Sequence, residues 1–425
     1  DSMGAVTPAI FSRVSSFAVI SLVRFVFSFT ALLVPSVLMG ATLPVMSRFV
    51  VRARSMVATR VSLLYGLNTL GSAAGCFLAG FWLLETFGVS GTNRAAVSIN
   101  VFILLAVLVL RAFHQASQGA PEGAAEAEEA PDTGAQADTS AGGMRGLFLA
   151  AAFISGFATM CVEVLWIRFL VFVVPNNQYS FTAILGVLLF GLALGSIIYR
   201  LFFAQRRMKA VWLGGVEIAL GVVIVLSLWT GAAAASNAGM HDALRALFSK
   251  GAFLSYKGGA VGLAFVTIFL PTVLIGIVFP FICALYTPSV SSVGRSIASV
   301  YAVNTVGSIL GSLAPIAFVV TVFGIEGGII AVSLLNCALG VVIIASGAGE
   351  RRVLRAPLAF AVVAFFFAAA WRISPGDLTR SIFLSDPDHG GGNHDVAYYK
   401  EGRTATVMVI KDLSLIHISE PTRPY

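Results

Sequence analysis

Three ionisable side chains lie inside long apolar stretches of the sequence and are the first candidates for chemistry. Glu163 and Arg168 belong to "TMCVEVLWIRFL", and Glu217 belongs to "GGVEIALG". A charged group in hydrocarbon is costly, so such residues commonly bind a substrate, move a proton or pair with each other. A cationic substrate such as a polyamine would need carboxylates of this kind. Structural roles stay open, because Glu163 and Arg168 share a helical face poorly and an arginine near the boundary extends to water.

A second candidate is the pattern Y-x-x-N-T-x-G-S-x-x-G, which begins at Tyr65 and again at Tyr301. Each copy has two glycines four residues apart, which lets another helix approach closely, at Gly71 and Gly75 and at Gly307 and Gly311. Asn68 and Asn304 precede these glycines by about one turn, and an amide in hydrocarbon needs a partner. They either tie helices together or line a substrate path.

Composition determines which elements position these residues. The chain is 58% hydrophobic and 11% charged, whereas an ordinary globular protein has about 25% charged residues. A transmembrane helix needs about 20 mostly apolar residues. Ten segments approach that length, at 22–50, 62–84, 95–112, 147–172, 178–201, 211–231, 258–286, 297–320, 327–347 and 356–373. The sequence therefore predicts an all-α polytopic membrane protein in contact with a lipid bilayer.

The positive charge lies in loops that alternate along the chain. The basic residues of these loops are Arg48, Arg52, Arg54, Arg60, Arg200, Arg206, Arg207, Lys209, Arg295, Arg351, Arg352 and Arg355. Membrane proteins retain such residues on the cytoplasmic side, so these loops are predicted to be cytoplasmic. Because membrane topology explains the net charge of +7, no nucleic-acid partner is expected. If 356–373 crosses the bilayer, the residues that follow are extracytoplasmic; the alternative is a helix lying in the interface.

Two other features favour structural interpretations. The stretch 113–145 is rich in Ala, Gly and acidic residues, which is typical of a flexible, solvated linker. The four cysteines lie in apolar stretches without the spacing of a metal site, so they are predicted to be small core residues, at Cys76, Cys161, Cys283 and Cys337.

An internal repeat relates positions 236 residues apart. The matching residues are Pro35 and Pro271, Gly40 and Gly276, Pro44 and Pro280, Tyr65 and Tyr301, Asn68 and Asn304, Gly71 and Gly307, Gly75 and Gly311, Gly88 and Gly324, and Asn100 and Asn336. Both copies of the proline-containing helix end in basic loops, which indicates parallel repeats. If the halves match in length, about 90 residues and three helices are expected before residue 1. We expect a major-facilitator-like bundle of two halves, the first incomplete.

Several motifs together carry a family resemblance over about residues 1–412. "SGFATMCVEVLWIRFL", "FTAILGVLLFGLALGS", "LPTVLIGIVFP", "SVYAVNTVGSILGS" and "YYKEGRTATVMV" follow one another in the chain. In this order they resemble the fused bacterial membrane proteins in which a major-facilitator-like region precedes a spermidine synthase-like domain. The last motif resembles the first strand region of that soluble domain. Its β-branched residues after a Gly turn fit a strand independently.

The resemblance implies a multi-pass protein of the bacterial inner membrane and aminopropyl transfer from decarboxylated S-adenosylmethionine to a diamine. The nucleoside-binding glycine loop and the acidic amine site are expected beyond residue 412, so no catalytic residue is assigned. "DHGGGNHD" precedes a strand instead of opening a helix, so it is not a nucleotide loop. No metal site is predicted either, because a solvated turn explains the nearby acidic and imidazole groups, which are Asp386, Asp388, His389, His394 and Asp395.

The last residues, "LSLIHISEPTRPY", resemble the in-frame translation of a transposase-type sequencing adapter and are set apart from the fold. The predicted organisation is a first membrane half with three helices (1–112), a linker (113–145), a second half with six helices (146–348), an extra membrane helix (349–373), the start of a soluble domain (374–412) and the adapter-like tail (413–425).

Three functions fit this organisation. The helices either deliver substrate to an aminopropyltransferase, transport a small and possibly cationic solute beside a non-catalytic domain, or serve only as an anchor. The residues of this chain are expected to be inactive in aminopropyl transfer by themselves.

Overall fold

The computed structural model of the chain describes residues 17–117, 139–170, 178–204, 210–236, 252–347, 395–402 and 406–411. Within these ranges the protein consists of long helices and one short β-hairpin. The helices in chain order are α1 (Phe17–Val50), α2 (Val57–Leu78), α3 (Leu84–Ser117), α4 (Thr139–Leu170), α5 (Gln178–Phe202), α6 (Ala210–Ser236), α7 (Ala252–Tyr286), α8 (Val293–Ala314) and α9 (Val320–Gly347). The strands are β1 (Asp395–Glu401) and β2 (Thr406–Lys411).

The helices confirm an all-α polytopic membrane protein. Seven helical runs in the described ranges are long and apolar enough to cross a bilayer. Two of these runs, Val57–Phe113 and Val293–Ser346, have 57 and 54 residues, more than twice the roughly 20 residues that one crossing needs. They therefore hold two spans each. Nine predicted spans coincide with these helices, and the tenth, at 356–373, lies outside the described residues.

Each long run is divided by a glycine. Gly88 has φ of 63° and Gly324 has φ of 72°, a conformation that side chains with a Cβ rarely adopt. A π-helical turn joins α2 to α3 at Ala79–Leu83, and an equivalent turn joins α8 to α9 at Pro315–Val319. These turns widen the helix just before the break. The sequence predicted separate spans here but not the π-turns.

The element boundaries repeat with the same spacing as the sequence. Helices α2 and α8 have 22 residues each, and every boundary of α8 follows that of α2 by 236 positions. The π-turns, the two glycine breaks and the carboxyl ends of α1 and α7 keep this spacing. Sequence similarity in the two regions therefore corresponds to identical local structure.

Helices in the second half pack through glycines that allow backbone contact. A Cβ at Gly195 of α5 would overlap the carbonyl oxygen of Val273 on α7, and one at Gly276 of α7 would overlap the carbonyl oxygen of Leu192. Close packing of this kind supplies van der Waals contact where lipid removes the hydrophobic driving force. The apolar outer sides of α1 and α3 are exposed in contrast, which suits contact with lipid. Of the four cysteines predicted to be core residues, Cys161, Cys283 and Cys337 are buried, whereas Cys76 is only partly buried.

The hairpin is antiparallel, with Tyr399 opposite Met408 and an irregularity in β1 between Val396 and Tyr398. It lies against the helical region, because the guanidinium of Arg168 donates a hydrogen bond to the carbonyl oxygen of Gly402 at 3.2 Å. Arg168 is in the last turn of α4. The hairpin therefore lies at the end of the bundle to which the carboxyl terminus of α4 points.

Candidate functional site

A cavity of about 310 Å³, the central cavity, lies among α2, α4, α5, α7 and α8. Four pairs of polar residues in its wall are related by the 236-residue repeat: Tyr65 and Tyr301, Asn68 and Asn304, Thr69 and Thr305, and Ser72 and Ser308. The two halves of the repeat thus contribute equivalent side chains to one cavity. The predicted candidates Tyr65, Asn68, Tyr301 and Asn304 are brought together here.

Helical spacing explains why these residues face the same space. In α2 the four polar residues occupy positions i, i+3, i+4 and i+7, which form one face of an α-helix, and α8 repeats this spacing. Helix α4 adds Ser155 and Thr159, also four apart. We did not predict Thr69, Ser72, Thr305 or Ser308 as site residues. The repeated i, i+3, i+4, i+7 spacing of polar residues is the sequence signal that identifies them.

Four hydroxyl groups of this wall donate their protons to the backbone of their own helices. Thr69 donates to the carbonyl oxygen of Tyr65 at 2.8 Å, and Thr305 donates to that of Tyr301 at 2.8 Å. Ser72 and Ser308 do the same one turn further on, at 3.1 and 2.9 Å. A hydroxyl has one proton and two lone pairs, so a group that donates to the backbone offers the cavity acceptors. The wall is therefore rich in hydrogen-bond acceptors.

Aromatic rings form another part of the wall. The ring centroids of Tyr65 and Phe279 are 4.8 Å apart, and those of Phe279 and Tyr301 are 6.0 Å apart with edge-to-face geometry. Phe279 of α7 thus joins the repeat-related tyrosines of α2 and α8. Aromatic faces carry negative electrostatic potential and attract cations. Phe279 was not predicted, because its position is apolar in both copies of the repeat.

Glu163 lies one helical turn beyond the cavity wall. It follows Thr159 by four residues on α4, so it continues the face that carries Ser155 and Thr159. The side chain is partly buried, and its Oε2 atom has no hydrogen-bond partner among the described residues. An ionised carboxylate at this position would favour a cation at the adjacent end of the cavity.

The other predicted ionisable residues lie elsewhere. Glu217 is fully buried in α6, a helix that contributes no residue to the cavity wall. Arg168 contacts Gly402 of the hairpin. Within the described ranges, no three His, Cys, Asp or Glu side chains come together as a metal-binding group.

The two glycine motifs differ in their surroundings. A Cβ at Gly307 would overlap the carbonyl oxygen of Phe153, and one at Gly311 would overlap that of Phe157. The predicted interhelical contact is therefore present in this copy, and its partner is α4. Gly71 and Gly75 have no described atom within 4 Å of such a Cβ. No described helix occupies the equivalent position beside α2, and the contact predicted there is not seen.

Comparison with known protein families, curated proteins and solved structures gives no match to this chain. The fold and the site by themselves define a multi-pass helical membrane protein with a polar cavity among repeated helices.

Proposed function

We propose that the helical region is a carrier that binds a small cationic amine in the central cavity, with polyamines as its substrate class and the bacterial inner membrane as its location. The observation that carries this proposal is the donation of four repeat-related hydroxyl protons to the helix backbone. An ammonium group has only donors, and it needs acceptors of this kind when it leaves water.

The rest of the cavity supports the same substrate class. Tyr65, Phe279 and Tyr301 bring three aromatic rings to the wall, which favours an ammonium by cation–π attraction. Glu163 supplies a carboxylate one turn further along α4. The volume of 310 Å³ is at the lower end of the roughly 300–1,000 Å³ typical of small-molecule sites, which suits a short solute.

The internal repeat supports transport over simple anchoring. Carriers built from repeated halves place their substrate at the interface of the repeats, and access alternates as one half moves against the other. A helical anchor needs no polar cavity, because polar groups in the membrane are costly unless they have a function. The repeat-related polar pairs are therefore an argument for a bound solute.

Binding of radiolabelled spermidine to the purified protein in detergent tests this proposal. The double variant T69V/T305V keeps the shape of both side chains but removes two acceptors, and we expect at least tenfold weaker binding. T86V is the matched control, because Thr86 donates to the carbonyl oxygen of Trp82 at 2.7 Å but lies outside the cavity wall. Equal binding by both variants would contradict the assignment, as would equal affinity for an uncharged polyol.

A second proposal concerns the soluble part that follows the membrane helices. The motif "YYKEGRTATVMV" resembles a spermidine synthase-like domain, and residues 395–411 form a hairpin that contacts α4. We propose that the complete protein transfers an aminopropyl group from decarboxylated S-adenosylmethionine to a diamine delivered by the carrier. The new C–N bond replaces the donor's C–S bond, so 5′-methylthioadenosine leaves and the attacking amine loses one proton. Incubation of the complete protein with this donor and putrescine should yield spermidine. Residues 1–425 alone should yield none, and product from them would contradict this division of roles.

A further inference from the structure

Glu217 lies in α6 where this helix packs against α9, apart from the central cavity. It has no exposed surface, and neither carboxyl oxygen has a hydrogen-bond partner among the described residues. An ionised carboxylate without a partner is very costly in such a place. The proposed amine site does not explain how the Glu217 carboxyl group is stabilised here, or whether it is ionised.

The two helices are in backbone contact about one turn on either side of Glu217, which leaves little room for a hydrated ion between them. A Cβ at Gly214 of α6 would lie 2.6 Å from the carbonyl oxygen of Gly340 on α9. A Cβ at Gly221, two turns further along α6, would lie 2.6 Å from the carbonyl oxygen of Ser333. The Ser333 hydroxyl also donates a hydrogen bond to the carbonyl oxygen of Gly221. Glu217 lies between these two backbone contacts.

Helix α9 carries a second unsatisfied acceptor at the same level. Gly340 and Ser333, which meet α6 on either side of Glu217, also flank Asn336 in the sequence. The Asn336 amide nitrogen donates to the carbonyl oxygen of Val332 at 2.9 Å, but its Oδ1 atom is buried without a partner among the described residues. The helix pair therefore contains three buried acceptor oxygens for which no described group supplies a proton.

The surroundings provide no compensating positive charge. Cys337 of α9 is the titratable group near Glu217, and its thiol faces the carbonyl oxygen of Ile218 at 3.8 Å. Helix α7, which also packs against α6, brings no described charged side chain to the carboxyl group. A cation would need space that the glycine contacts remove. A proton needs none.

We infer that Glu217 is a proton-binding site in the membrane, held as a carboxylic acid whose O–H donates to Oδ1 of Asn336. This single proton satisfies the Asn336 oxygen and removes the uncompensated charge from Glu217. Release of the proton would leave an anion between α6 and α9, so it requires the helices to separate and admit water. The protonation state of Glu217 is thereby linked to the packing of α6 on α9.

Infrared difference spectroscopy of the purified full chain in lipid nanodiscs tests this inference. At neutral pH the wild-type protein should show a protonated carboxyl C=O band that shifts on exchange into D₂O and is lost in E217Q. N336V should keep the band but move it to higher frequency, because the acceptor for the O–H is removed. E85Q is the control, since Glu85 is exposed on α3, and it should leave the band unchanged.

Two results would overturn the inference. One is a wild-type spectrum from which E217Q removes only a carboxylate band, which would show an ionised residue. The other is a Glu217 band that changes on addition of Na⁺, which would show a metal cation in place of the proton. Circular dichroism accompanies each spectrum to show that the variant is folded, and N336V tests the inference without changing the carboxyl group. None of these measurements depends on solute transport.

Discussion

The side-chain amide of Asn304 donates a hydrogen bond to the carbonyl oxygen of Ala152 at 3.0 Å, across the contact between α8 and α4. Asn304 also lines the central cavity, as does its repeat counterpart Asn68. Asn68 is exposed, and no described helix covers α2 in the way that α4 covers α8. The same residue in the repeated motif therefore combines helix packing with cavity lining in one copy and lines the cavity in the other.

This difference predicts unequal effects of the same substitution. N304L should lower the free energy of unfolding by about 0.6 kcal/mol, the average measured for interhelical hydrogen bonds in a membrane protein, and by at most about 1.7 kcal/mol. N68L should lower the free energy of unfolding less, because Asn68 makes no interhelical hydrogen bond to the described residues. Unfolding of both variants in mixed micelles with increasing denaturing detergent measures the difference. A larger loss for N68L would contradict the asymmetry.

The glycine motifs give a second matched pair. G311A places a methyl group against the carbonyl oxygen of Phe157, so α4 and α8 must move apart. We expect a loss of about 1–3 kcal/mol of stability, the usual cost of overpacking. G75A occupies the equivalent position with no described atom within 4 Å and should be close to neutral. Thermal unfolding of G311A and G75A in the same detergent measures the difference in stability. Equal melting temperatures would disprove the close contact between α4 and α8 at Gly311.

Much of the fold follows from the sequence, because a helix that crosses the lipid bilayer must have about 20 mostly apolar residues. Nine described spans lie at the predicted positions, and the 236-residue repeat predicts the equivalence of α2 with α8. The π-turns were not predictable, because Ala79–Leu83 and Pro315–Val319 have the same apolar composition as the helices around them. Their position depends on packing between helices that are distant in sequence.

The candidate site was predictable only in part. Tyr65, Asn68, Tyr301 and Asn304 stand out because polar groups are rare in spans, and they share one cavity. Phe279 was not predicted, since an aromatic residue in an apolar helix gives no signal until its neighbours are known. Glu217 and Glu163 look alike in the sequence, and only tertiary packing separates the buried α6 interface from the end of the cavity.

Glu163 provides a test of the amine proposal that is independent of the hydroxyl groups. E163Q keeps the size of the side chain but removes the charge at the end of the cavity, so spermidine uptake into proteoliposomes should fall at least fivefold. E85Q changes an exposed carboxylate on α3 and should retain normal uptake. Normal uptake by a folded E163Q protein would assign Glu163 a structural role.

The contact between Arg168 and Gly402 predicts that α4 positions the hairpin. R168Q shortens the side chain and removes the guanidinium, so the hairpin should detach and become more sensitive to trypsin at Lys400. R145Q is the matched control, because Arg145 lies near the other end of α4, with its guanidinium carbon 5.4 Å from the ring centroid of Tyr286. Equal rates of cleavage in the two variants would show that Arg168 does not hold the hairpin.

The same contact predicts the side of the membrane on which the hairpin lies. The basic loops predict that the amino end of α4 lies in the cytoplasm and that its carboxyl end, with Arg168, lies on the opposite side. Gly402 accepts a hydrogen bond from Arg168, and the hairpin should therefore be extracytoplasmic. This agrees with a bilayer crossing by 356–373, a segment that lies outside the described residues.

Cysteine labelling in intact cells tests directly on which side of the membrane the hairpin lies. Lys400 is exposed on β1, so K400C should react with an impermeant thiol reagent added from outside. Ser291 is exposed in the loop before α8, four residues before Arg295 in the first turn of that helix, and S291C should react only after lysis. The wild-type protein corrects for its own cysteines, of which Cys161, Cys283 and Cys337 are buried and Cys76 is partly buried. Labelling of S291C with protection of K400C would reverse the orientation of the whole bundle, whereas protection of both would place the hairpin in the cytoplasm and exclude its contact with the carboxyl end of α4.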